Sequence, residues 1–291
     1  MERPTLFARS LALIALLGAG AAQAQVAPEC ASELAGGVEA MVPDGDIEAF
    51  NARQSAIMLN HPALTLVVSP LGSPKVRGAE VGLEVMQLPA LGCSERVVVF
   101  GGQLKTEDTN KMPVIPRPRL RVALPKLAGF GGYLGVVYVP PVPIGTTQTH
   151  HAGFELGLSR DLDNSLTVGL RYHAAVSKVV DDIAHAVEED GPVVLDFYAN
   201  GLWGADLQVG YEGGFLPAGL ALFTAGGFTN VGTFFLVGDD NVIQQNVNPF
   251  QGFAYSLGGQ FDARNLMVVL EWHHAVGSTM GAVRSRFAYR F

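Results

Sequence analysis

The chain has 291 residues with 19 Lys+Arg against 27 Asp+Glu, a net charge of −8, only 16% charged residues, and 48% hydrophobic ones. That composition is too apolar for disorder and too acidic to hold nucleic acid by counterion release. Past residue 24 there is also no uninterrupted apolar run of about 18 residues, as a membrane helix requires. A mean hydropathy of +0.26 without such runs arises when apolar residues alternate with polar ones along strands that close into a barrel.

Residues 1–24 read as a secretory signal. Arg3 and Arg9 supply the positive start, Leu11–Leu17 the apolar stretch, and Ala22-Gln23-Ala24 the small residues before cleavage. An oxidising destination makes a disulfide between Cys30 and Cys93 the default for an even cysteine count. Residues 25–61 form an N-terminal periplasmic or plug segment. Within it Asp44 and Asp46 precede Ile47–Leu59, whose apolar positions 47, 50, 57 and 58 have helical spacing, so a short helix is predicted there.

Residues 62–291 are written with period two. Strands are expected over 63–69, 78–88, 95–103, 117–125, 130–139, 149–160, 165–176, 195–211, 218–230, 250–261, 266–276 and 281–291. These give an antiparallel barrel of about twelve strands, with ten open because the first three are the least regular. One face of each strand is apolar, and the other mixes charges with small residues. Glu80 and Glu84 oppose Val81, Leu83 and Val85, and Arg119 and Arg121 oppose Leu120, Val122 and Leu124. Glu155 opposes Phe154, Leu156 and Leu158, and Arg171 and His173 oppose Leu170 and Tyr172. Asp206 opposes Leu207, Val209 and Tyr211, while Glu271 and His273 oppose Leu270 and Trp272. On the last strand Arg284, Arg286 and Arg290 oppose Val283, Phe287, Tyr289 and Phe291. Such charged faces make a poor dry core and a reasonable wet lumen, and the 35 glycines let strands bend and make room.

A signal segment, period-two strands and a terminal Phe preceded by alternating aromatics (Phe287, Tyr289, Phe291) resemble Gram-negative outer-membrane β-barrel proteins. The resemblance implies that the last strand is the address read by the barrel-assembly machinery. It also implies that the partners are outer-membrane lipid and a small-molecule solute. Asn60-His61-Pro62-Ala63-Leu64 resembles, over a handful of residues and with a His inserted, the Asn-Pro-Ala stretch after the plug of the long-chain fatty acid channel family. Barrels of this kind have short periplasmic turns and longer outer loops. Counting back from Phe291, the short turns 161–164, 212–217 and 262–265 fall on the periplasmic side. The long connections 104–116, 140–148, 177–194 and 237–249 fall outside. On a twelve-strand count the turn holding Cys93 lies in the periplasm.

Catalytic and metal sets are weak. Glu271-Trp272-His273-His274 with Ser278, and His173 with Ser177, lack the His-x-Ser spacing that puts both side chains on one strand face. His150-His151 and His273-His274 are adjacent, so each pair splits between faces and does not chelate. No Gly-rich phosphate loop and no thiolate cluster appears, so no cofactor and no metal is expected. Acidic loops (Asp181, Asp182, Glu188, Glu189, Asp190; Asp239, Asp240) offer oxygen ligands for divalent cations. The reading is a narrow or plugged outer-membrane channel for a small, optionally apolar, solute rather than an enzyme. The alternatives are a non-transporting structural or adhesion barrel and, third, a lipid-modifying enzyme.

Overall fold

The computed structural model describes residues 26–87, 89–107, 114–144, 147–163, 165–181, 196–214, 216–237, 242–276 and 281–291. Ten strands close an antiparallel barrel. They are β1 (Ala79–Gln87), β4 (Val114–Leu127), β5 (Phe130–Ile144), β6 (Thr147–Asp161) and β7 (Leu166–Asp181). The others are β8 (Asp196–Glu212), β9 (Leu220–Val237), β10 (Val242–Ala263), β11 (Leu266–Ala275) and β12 (Gly281–Arg290). Neighbours in sequence are neighbours in the wall, and β1 closes it by pairing with both β4 and β12. The short β2 (Val97–Phe100) and β3 (Gln103–Thr106) form a separate hairpin.

Alternation of side chains across each strand does the sorting. Leu207, Val176, Leu270 and Phe287 face out with 68, 62, 60 and 54% of their surface exposed, whereas the charges opposite them are buried. Between β4 and β5, Ala128 (φ 51°) and Gly129 (φ 81°) make a two-residue turn between the paired Leu127 and Phe130. Two successive positive φ values are what the right-handed twist of a tight hairpin requires. After β6, Asp163 accepts the backbone N–H groups of Ser165 and Leu166 at 2.7 and 2.6 Å. Those donors hold its carboxyl below the usual carboxylate range.

The N-terminal chain departs from expectation. Helix α1 spans Gly37–Met41, and α2 spans Ile47–Leu66, capped by Asp46 accepting from Ala49 N at 3.0 Å. The helix therefore runs past residue 59 and absorbs most of the strand expected over 63–69. An apolar run this short is ambiguous between buried strand and helix, and a helix already nucleated extends cheaply. The strand expected over 95–103 is not in the wall either, since it folds back at Gly101-Gly102 as the β2–β3 hairpin.

Losing one strand between β1 and β4 reverses the direction of β1 relative to the twelve-strand count. β1 starts beside the C-terminus, where Phe291 N donates to Ala79 O at 2.9 Å, and ends at the long-loop end. The connection carrying Cys93 therefore sits at the long-loop end, not at the short-turn end where it was expected. Two connections expected as loops are also ladder. β5 and β6 stay paired to Ile144↔Thr147 past a register shift near Pro140-Pro141, and β10 begins at Val242. The two prolines cannot donate to a ladder, and the register shift accommodates them.

At the long-loop end, residues 26–58 and the β2–β3 hairpin form a cap with its own core of Cys30, Leu34, Val42, Phe50, Val97, Val99 and Leu104. Cys30 and Cys93 are disulfide-bonded, with Cα atoms 5.5 Å apart. Asn51 pairs with both backbone groups of Val99, at 2.9 and 2.8 Å. Arg96 reaches Glu29 Oε1 at 2.5 Å. The Glu29 carboxyl lies below its usual range, held there by a backbone N–H and by the Arg96 guanidinium.

Candidate functional site: a charged lumen crossed by a strap

β1 carries Glu80 and Glu84 between two arginine strands. Its register places Glu80 opposite Arg121 on β4 and Arg290 on β12, and Glu84 opposite Arg117 on β4 and Arg286 on β12. Sequence period two put like charges on one face, and ladder pairing set opposite charges side by side. Glu84 pairs with Arg117 and lies 3.3 Å from Arg119 Nη1. Arg119 grips Glu155 through two hydrogen bonds, 3.0 and 2.7 Å. Arg171 holds Asp206 at 2.6 Å and touches Glu155 at 3.3 Å, and His173 Nδ1 lies 3.4 Å from Asp206. The Arg121 guanidinium stacks over Tyr133, 4.3 Å from the ring centroid. Charges buried this deeply require such partners, because an unpaired one is costly to desolvate.

Residues 67–77 run through this lumen from the cap to the start of β1. Val67 and Val68 pack among Val137, Ala175, Leu202 and Val231. The strap backbone is also fastened by charged and polar groups of the wall. Arg284 and Arg117 donate to Val67 O at 2.5 and 3.3 Å, and Arg119 donates to Ser69 O at 2.9 Å. Leu71 N donates to Glu271 at 2.6 Å, and Ser73 N to Gln260 at 3.0 Å. Lys75 reaches Asp161 at 3.1 Å and Arg77 reaches Glu212 at 2.6 Å, both at the short-turn rim.

The structure therefore places Glu80, Glu84, Arg119, Arg121, Glu155, Arg171, His173, Asp206, Glu271, His273, Arg284 and Arg286 in the interior, all buried, with Arg290 at the rim. Sequence reasoning missed Arg117, which sits one step before Arg119 on the same face; His151, buried on the inward face that period two gives it, is absent from the expected lumen set. Sequence reasoning also did not join Ser256 to His273. The Ser256 hydroxyl lies across the β10–β11 ladder from His273, its Oγ 2.9 Å from His273 Nδ1. Only register, not spacing along one strand, brings these two together. They line a cavity of about 10 Å³ with Val67, Pro70, His173 and Asp206, room for about one water.

His274 points outward and stacks on Trp272, ring centroids 5.5 Å apart. Phe287, Tyr289 and Phe291 are exposed on the outer face. Residues 1–24, Ser278 and the acidic residues Asp182, Glu188, Glu189, Asp190, Asp239 and Asp240 lie outside the described residues. Among the described residues no group of three His, Cys, Asp or Glu is placed to hold a metal.

A closed antiparallel barrel, apolar outside and charged inside, is the architecture of outer-membrane β-barrel proteins, and the chain has that fold. No family model and no curated protein matches it. Solved structures similar to it are outer-membrane barrels of several kinds. The Pseudomonas putida toluene transporter TodX is 13% identical, with 78% of this chain and 72% of that one covered at a TM-score of 0.37. Ail, the attachment invasion locus protein of Yersinia pestis, is 10% identical, with 74% and 100% covered at a TM-score of 0.31. LpxR from Salmonella typhimurium is 9% identical, with 73% and 100% covered at a TM-score of 0.32.

Proposed function

We propose that the protein is a plugged outer-membrane barrel, closed as it stands, that passes small polar solutes when the Val67–Ser73 strap shifts. The observation that carries this reading is how the strap is held. Beyond Val68 its fastenings to the wall include hydrogen bonds with Arg119, Glu271 and Gln260, which water can replace at little enthalpic cost. A plug meant never to move would be packed into apolar surface along its whole length. The lining has apolar patches such as Val137, Leu202 and Val231, but the strap beyond Val68 runs among charged and polar groups, which favours a polar solute. Delivery by the 1–24 signal, lipid against the apolar exterior, and reading of the Phe287–Phe291 face by the assembly machinery complete the proposal. The short-turn end then faces the periplasm. The Ser256–His273 pair is buried beside space for a single water, which we read as a structural contact and not as a nucleophile.

Planar-bilayer recording tests the reading. The wild-type barrel is expected to be closed, and a variant with residues 67–73 replaced by Gly and Ser is expected to conduct. If the variant folds and stays closed, the reading is wrong. A second reading then stands, a non-transporting barrel that displays its cap. The observation favouring it is the separate, disulfide-bonded cap core at the long-loop end.

A further inference from the structure

We propose that the lumen binds a small inorganic anion between Arg121 and Arg286. These residues lie on β4 and β12, the two strands that flank β1, and both turn inward, 1% and 0% exposed. They converge on one oxygen. Glu80 Oε2 is 3.2 Å from Arg286 Nη1 and 3.9 Å from Arg121 Nη1, and Arg290 takes the other oxygen at 3.0 Å. Three guanidinium groups thus share one carboxylate. The other carboxylates nearby are committed elsewhere. Asp262 pairs with Arg290 at 3.2 Å. Glu155 lies 3.6 Å from Arg121 Nε but is gripped by Arg119 and touched by Arg171.

These ion pairs leave several of the donors without a hydrogen bond. Among the described residues, Nε, Nη1 and Nη2 of Arg286 and Nε and Nη2 of Arg121 make no hydrogen bond. A guanidinium presents donors and no acceptor, so only an acceptor satisfies these atoms, and an anion also cancels the local excess of positive charge. The strap runs past the site at a glycine. Gly72 has φ +134°, and a Cβ there would sit 3.3 Å from Arg121 Nη1 and 2.9 Å from Gln260 Oε1. The short-turn rim is close by, where the Arg290 and Asp262 side chains are 14 and 20% exposed. As a statement about binding, the inference stands on this geometry alone. As a statement about solute, it rests on the channel reading and narrows polar solutes to small anions such as chloride or phosphate.

Chloride NMR line width on the refolded barrel in detergent tests the site. Wild-type protein is expected to broaden the chloride signal, and inorganic phosphate to reverse the broadening. Folded Arg286→Gln and Arg121→Gln are expected to lose most of it. Folded wild-type protein that gives no broadening overturns the site, as does broadening undiminished in both variants. Should neither variant fold, Arg286→Lys, which keeps the charge and drops the fork of donors, is expected to weaken phosphate competition several-fold; unchanged competition overturns the site. Reversal potentials of the strap-replaced variant across a salt gradient separate the two claims. Anion preference supports the inference, and cation preference overturns it as a solute site. A folded variant without current, in protein that still broadens chloride, refutes passage and upholds binding.

Discussion

The carboxylate of Glu271 on β11 accepts the backbone N–H of Leu71, in mid-strap, at 2.6 Å. Leu71 has a positive φ of 41°, a conformation a Leu adopts only when its surroundings impose it. Replacing Glu271 with Ala leaves that buried N–H without its partner, which costs about 1–3 kcal/mol. The expected outcome is a lower temperature for conversion of the compact, heat-modifiable form on gels, with the barrel still inserted. An unchanged conversion temperature would show that the contact does not hold the strap.

The two faces of β12 predict opposite responses to substitution. Val283 and Phe287 are 47 and 54% exposed, while Arg284 and Arg286 between them are 0% exposed. A lipid-phase quencher should dim a fluorophore attached at Cys replacing 283 or 287, and leave one at 284 or 286 untouched. Val283→Arg should cost up to about 2–4 kcal/mol at mid-depth, less toward the rim. Arg286→Glu should impair folding, because it sets a carboxylate across the ladder from Glu84. Quenching without alternation would mean that the register is wrong.

Non-reducing mass spectrometry of protein from native membranes should find Cys30 joined to Cys93. On a loop-entropy account, a bond across a sequence separation of 63 residues contributes roughly 4 kcal/mol. Reduction should therefore expose the cap to protease while leaving the barrel resistant. Two free thiols in folded protein would remove the staple from the structure.

The terminal strand makes a further prediction. Phe291, 74% exposed, ends the aromatic face begun by Phe287 and Tyr289. Deleting it, or changing it to Asp, should lower the fraction of heat-modifiable protein in outer-membrane extracts. Normal insertion of both variants would show that this face is not read during assembly.

The Glu29–Arg96 pair gives the cap a pH dependence. The Glu29 carboxyl is lowered in the folded cap by a backbone N–H and by Arg96. Its contribution is complete above the unfolded carboxylate range and is lost as pH falls through the lower folded value. Proteolytic nicking of the cap should rise as the medium is acidified below the ordinary glutamate range. Glu29→Gln should remove that rise, and an identical acid response in the variant would place the dependence elsewhere.

The barrel was legible because alternation is a local property. Arg284 and Arg286 against Val283 and Phe287 declare two solvents without reference to any other strand. The partnering of Glu84 by Arg117, or of Ser256 by His273, was not legible, since pairing across a ladder depends on register and no residue states its register alone. The count of strands failed to resolve where the pattern is weakest. The apolar run at 63–68 suits helix and strand equally, and 95–103 hides a turn at Gly101-Gly102 inside an apparently continuous strand. Because strands alternate in direction, one hairpin leaving the wall moved Cys93 and the whole cap to the opposite end.

The bond between Cys30 and Cys93 closes the backbone into a covalent ring. That ring descends the lumen as the strap and returns up the wall as β1. One stave of the barrel and the cord inside it are thus parts of a single loop. Sliding the cord sideways leaves the ring intact, whereas ejecting it toward either compartment would drag β1 out of the sheet. A thiol-oxidising step that precedes insertion would commit the cap and the hairpin to crossing the bilayer as one body.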